Sequence, residues 1–167
     1  MGKRIIWATV FALAAAMLQS TLLSRLALYH ATPDIALGIL VFSAYNNGAM
    51  TGQLTGFFSG LLLDFLSAAP LGLNTFVRTV IGASVGMMRG IFFLDTLLLP
   101  MALCGGATLV KALFFWALHL LFGPEVPAYS ALSPVLWVEL ALNAALAPFL
   151  FGLLKLFKSL LLEGRDL

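Results

Sequence analysis

The chain is poor in charge, almost without cysteine and without a catalytic motif, and each shortage removes a class of explanation. Charged residues make up 10% of its 167 positions and apolar ones 62%, against roughly 25% and 45–50% in an ordinary soluble domain. A water-soluble fold of this length could not hide so much apolar surface. Cys104 stands alone, so neither an internal disulfide nor a thiolate metal cluster can form within the chain. There is no HExxH, no GxSxG, no phosphate-binding GxxxxGK loop, no Cys/His metal spacing and no close pair of carboxylates. Nothing sets a nucleophile beside a base, and the reading is non-enzymatic, without cofactor or metal. The net charge of +2 is scattered and does not point to nucleic acid.

What is present is long apolar runs. Six segments stand out, at 5–23, 33–47, 51–67, 74–93, 96–122 and 134–157. Inside a bilayer only helices and closed barrels satisfy every backbone group, and these runs lack the alternation of barrel strands. The expected fold is all-α: a polytopic membrane protein, one six-transmembrane-helix bundle over residues 1–167, with no linker or internal repeat. Met1-Gly2-Lys3-Arg4 ahead of an apolar run resembles a signal peptide, but the run is long enough to span, and retention is expected. Segments two and three fall short of the ~20 residues of a usual span and suggest a thin hairpin.

Local signals mark the boundaries. Thr32-Pro33-Asp34 offers a cap, a proline at the first helical position and an acid in the first turn, and Ser133-Pro134 repeats the cap and proline. Asn74, after Pro70-Leu71-Gly72, reads as the cap of the fourth helix, and Asn46-Asn47-Gly48 as a tight turn. Pro148 predicts a kink in the sixth. With the N-terminus inside, Lys3, Arg4, Arg89, Lys155, Lys158 and Arg165 collect on the cytoplasmic side and only Arg25 on the outer side. That asymmetry predicts cytoplasmic termini. Trp7, Trp116 and Trp137 read as interface anchors.

The sharpest pattern is Gly48, Gly52, Gly56, Gly60 and then Asp64, each four apart, answered in the fourth segment by Arg78, Gly82, Gly86 and Gly90. Residues four apart share one helix face, so both segments present a groove with a charge at the outer end. The expectation is that the ridges pack, Gly60 against Gly82 and Gly56 against Gly86, with Asp64 and Arg78 meeting as an ion pair. That pair is either a staple of the fold or a ligand or partner contact. Deeper lie Lys111 and Glu139, with Asn143 one turn beyond Glu139. They either pair with each other or line a polar cavity. His119 reads as a packed or interfacial histidine rather than a ligand.

The stretch from Gly52 through Gly56-Phe57, Gly60-Leu61-Leu62-Leu63-Asp64 and Ser67 to Pro70-Leu71-Gly72-Leu73-Asn74 resembles the signature of the bacterial rod shape-determining MreD family. Pro33-Asp34 opening the second helix and the six-span layout are similar to that family too. The resemblance implies a membrane scaffold of the cell-wall elongation complex in the bacterial inner membrane, helping to regulate peptidoglycan synthesis and cell shape. It implies as partners the periplasmic scaffold MreC and, directly or indirectly, the glycan polymerase and transpeptidase. It also implies a fold like the substrate-binding subunits of energy-coupling-factor transporters, and no catalysis. The matching positions are Gly52, Gly56, Gly60, Asp64, Pro70, Gly72 and Asn74. The competing reading is a small-molecule-binding membrane subunit of a transporter, suggested by that fold analogy and by Lys111, Glu139, Asn143 and His119.

Overall fold

The computed structural model describes residues 2–21, 31–67, 70–91, 97–127, 129 and 133–162. Among these the regular elements are helices: α1 (Gly2–Thr21), α2 (Ile35–Asn47), α3 (Ala49–Leu66), α4 (Leu73–Met87), α5 (Leu98–Phe122), α6 (Pro134–Leu156) and the short α7 (Lys158–Leu161). A 3-10 turn, Gly123–Glu125, follows α5. Arg25 and Arg165, which entered the charge count across the membrane, lie outside the described residues.

Capping chemistry sets several of the boundaries. Ser133 accepts from the Val135 amide at 3.3 Å and Pro134 takes the first helical position, where its missing N–H costs nothing. At α2 the sequence reading is corrected. The cap is Asp34, whose Oδ1 accepts from the Leu37 amide at 2.9 Å, and Thr32 and Pro33 stay outside the helix. The expected turn at Asn46-Asn47-Gly48 shrinks to Gly48 alone, at φ +91°, a backbone region that favours glycine. Both asparagines close the last turn of α2 instead, donating to the carbonyls of Phe42 and Ser43 at 2.7 and 3.0 Å. Nor does α4 reach residue 93. It ends at Met87 and the chain turns through Gly90 at φ +75°, so Gly90 is not a step of the helical ridge.

The α2 helix is the axis of the bundle. Residues Ala36 to Ala44 are all buried, as expected of a helix that is apolar all round, and α1, α3, α4, α5 and α6 all pack against it. Phe42 meets Phe151 of α6 edge-on at 5.1 Å. The α3/α4 pair has the most extensive contact, followed by α5/α6. The α6 helix continues through Pro148. At the far end α7 folds back: Leu161 is fully buried and its carbonyl accepts from Asn47 Nδ2 at 2.7 Å.

Polarity is inverted relative to a soluble protein. Asp34, Asp64, Arg78 and Glu139 are buried, while Leu121, Phe149 and Leu156 are each 77% exposed, along with Phe65, Leu113, Trp116 and Trp137. In water so many large apolar side chains would not stay on the surface. Leu98–Glu125 and Pro134–Leu156 are also long and apolar enough to cross a membrane. The arrangement is that of a helical integral membrane protein.

Candidate functional site

Two constructions organise the bundle, one running the length of α3 and α4 and one toward the end where α1 and α3 finish and α2 and α4 begin. The first is the glycine seam. The α3 and α4 helices pack along their glycine faces, but two turns away from the expected register. A Cβ on Gly52 would stand 2.3 Å from the Gly82 carbonyl oxygen, and one on Gly82 would stand 2.2 Å from that of Gly52. Gly56 faces the backbone of Arg78 and Thr79, Gly60 that of Asn74 and Thr75, and Gly86 that of Gly48 and Ala49. Gly60 therefore does not meet Gly82, nor Gly56 Gly86.

The cause of the shift is Asp64. The expected ion pair with Arg78 does not form. Asp64 instead caps α4 from across the seam, its oxygens accepting from the amides of Gly72, Asn74 and Thr75 at 2.9–3.0 Å, from Asn74 Nδ2 at 3.0 Å and from the Thr75 hydroxyl at 2.6 Å. Free amides at a helix start, aligned with its dipole, outcompete a cation farther along it. Gly72, at φ +96°, turns the chain so that these amides converge, and Pro70 precedes it in the same turn. Asn74 is thus a donor to the cap and not the cap itself. Asp64→Asn would place an amide among five donors. It is expected to lower stability by about 2–3 kcal/mol, read as a fall in the thermal midpoint of the purified protein.

The second construction is a buried charge network. Arg78 Nη2 donates to both oxygens of Asp34, at 2.8 and 3.0 Å. Lys111 Nζ bridges Asp34 Oδ2 at 2.9 Å and Glu139 Oε1 at 2.7 Å. The Tyr129 hydroxyl donates to Glu139 Oε2 at 2.5 Å, and its ring lies 5.6 Å from Lys111 Nζ. Asn143 Oδ1 accepts from the Asp34 amide at 2.7 Å, while its Nδ2 donates to the Thr108 hydroxyl at 2.9 Å. The network ties α2, α4, α5, α6 and the α5–α6 connection together. Lys111 and Glu139 are in contact, but neither is a private pair: Asp34 completes the set.

In the sequence Asp34 reads only as a first-turn acid, and nothing singles out Tyr129 or Thr108. Counting charges within the apolar segments could have drawn Asp34 in, since it opens a helix buried from Ala36 to Ala44, beside the cations Arg78 and Lys111. For Tyr129, which lies between the apolar segments of α5 and α6, no signal existed. His119 braces that same connection through Nδ1 and the Val126 carbonyl at 2.7 Å. Trp7, Trp116 and Trp137 stand on the outer surface. Among the described residues no group of three or more His, Cys, Asp or Glu side chains could hold a metal ion.

The family model for rod shape-determining protein MreD matches residues 1–157, a span that contains the seam, the Asp64 cap and every member of the network. No curated protein and no solved structure matches the chain. With all but the last ten residues covered by one family, the chain belongs to the MreD family of rod shape-determining proteins.

Proposed function

We propose that the chain is a non-enzymatic scaffold of the bacterial cell-wall elongation complex, docking the single-span periplasmic scaffold MreC in the inner membrane. Through it the chain would help regulate the glycan polymerase and transpeptidase. The observation that carries this reading is the family match over residues 1–157. The side-chain chemistry supports it. The network's carboxylates and cations are turned on one another, while the outer surface is a broad array of apolar side chains. Such a surface suits another transmembrane helix, because association in lipid relies on close packing.

The topology that goes with this reading is six crossings with both termini in the cytoplasm, as in the energy-coupling-factor subunits that the family resembles. The α2 helix, 13 residues long, covers only about 20 Å of a core of about 30 Å. It can remain short because its start is sheathed by protein, with Asn143, Gln19, Arg78 and Lys111 meeting its polar groups. Backbone ends at membrane depth are tolerated under such cover.

The reading is tested by purifying the tagged chain from native membranes in mild detergent. A single-span protein with a large periplasmic domain is expected to come down with it, and depletion is expected to turn rods into spheres. Unchanged rod growth together with no such partner would reject the role.

A further inference from the structure

The cavity where the ends of α1 and α3 meet the starts of α2 and α4 has a volume of about 420 Å³. Arg78 and Asp34 lie in its wall. Arg78 spends a single nitrogen, Nη2, on both oxygens of Asp34; its Nη1 is buried and has no hydrogen-bond partner among the described residues. A buried guanidinium N–H without an acceptor is costly, so this cavity calls for an acceptor oxygen. Asp34 does not meet that demand, since its charge is already matched by Arg78 and Lys111 together.

The rest of the wall is two-sided. Gln19, Ser67 and Asn74 give it a polar flank, and Met17, Leu63 and Leu66 an apolar one. Met17 and Leu66 are each more than half exposed on the outer surface, so the apolar flank opens where lipid would pack. The space far exceeds the roughly 30 Å³ of one water. An arginine edge with a free N–H is well matched to a tetrahedral anion.

From this geometry we propose that the cavity binds a phosphate group through Arg78, carried either by a lipid head group or by a free phosphate. The proposal stands apart from the elongation role and would survive its rejection.

The test uses the full chain in a neutral detergent, with thermal midpoint and native mass spectrometry as readouts. The probes are inorganic phosphate, dioctanoyl phosphatidic acid and the phosphate-free dioctanoylglycerol. Phosphatidic acid is expected to raise the midpoint and to stay bound. Arg78→Lys keeps a cation against Asp34 but lacks Nη1, and is expected to weaken binding about tenfold or more. Phosphatidic acid binding without inorganic phosphate assigns the site to a lipid head group; both binding with the same dependence on Arg78 assigns it to phosphate itself. Dioctanoylglycerol binding equally well, binding indifferent to Arg78→Lys, or no binding by any probe would overturn the proposal. Should Arg78→Lys fail to fold, Ser67→Trp at the exposed rim serves instead. It is expected to block the cavity with the midpoint of the free protein kept, and phosphatidic acid binding undiminished in that variant would equally defeat the assignment.

Discussion

Alanine at Gly82 is expected to destabilise the protein by about 2–4 kcal/mol, whereas alanine at Gly105 or Gly152 leaves it unchanged or slightly more stable. The sign difference is the informative part. In a helix interior Gly→Ala ordinarily gains about 1 kcal/mol from reduced backbone freedom. At Gly105 and Gly152 nothing lies within 4 Å of the added Cβ, so that gain is collected. At Gly82 the Cβ would sit 2.2 Å from the Gly52 carbonyl oxygen and 2.6 Å from its carbon, about 1 Å or more inside ordinary contact.

Neither of those atoms is a side-chain tip that could swing away. The α3 and α4 helices would have to part, and parting them pulls the α4 amides off Asp64 and Arg78 off Asp34. Gly52→Ala meets the Gly82 carbonyl from the other side at 2.3 Å and should behave alike. Thermal midpoints in detergent and protein abundance in membranes measure the effect. Seam and open glycines responding equally to alanine would show that α3 and α4 do not pack through these glycines.

That seam also shows how far the sequence could be read. The four-residue spacing of Gly52, Gly56 and Gly60 against Gly82 and Gly86 marks two faces suited to meet, because a stripe without side chains lets backbones approach closely. It does not say at which level they meet. The register depends on a choice between two partners for Asp64, the Arg78 guanidinium or the α4 amides, and backbone donors leave no trace in a residue string. Likewise Lys111 and Glu139 stood out as charges in apolar runs, but the contribution of Asp34 depends on three-dimensional convergence of α2, α4 and α5. Tyr129 reaches Glu139 from a connection whose path no periodicity encodes. Helix existence was legible because it follows from apolar length; caps and turns at Asp34, Gly48 and Gly90 were less so, because single hydrogen bonds and positive φ angles decide them.

Exchanging the charges of Lys111 and Glu139 is expected not to restore stability, although the two side chains touch. If they formed an isolated pair, Lys111→Glu combined with Glu139→Lys would rebuild it in reverse. Lys111 Nζ, however, also lies 2.9 Å from Asp34 Oδ2, so a carboxylate at position 111 would face a second buried carboxylate. At about 4 Å and an effective dielectric of about 20, such a repulsion is on the order of 4 kcal/mol. The swapped protein should therefore stay well below the parent protein in stability, although above Lys111→Glu alone, which sets the new carboxylate against both Asp34 and Glu139. A different double variant, Lys111→Met with Glu139→Leu, removes one charge of each sign and leaves the Arg78–Asp34 bridge whole. Replacing a buried pair by apolar groups is often near neutral, whereas deleting one partner costs about 3–5 kcal/mol. The apolar double variant is thus expected to exceed both of its single parents in thermal midpoint, falling short of the parent protein by about 1 kcal/mol for the acceptor that Tyr129 loses. Full recovery by the charge exchange would mean that Asp34 is not part of the set, and the three-helix junction built on it would have to be abandoned.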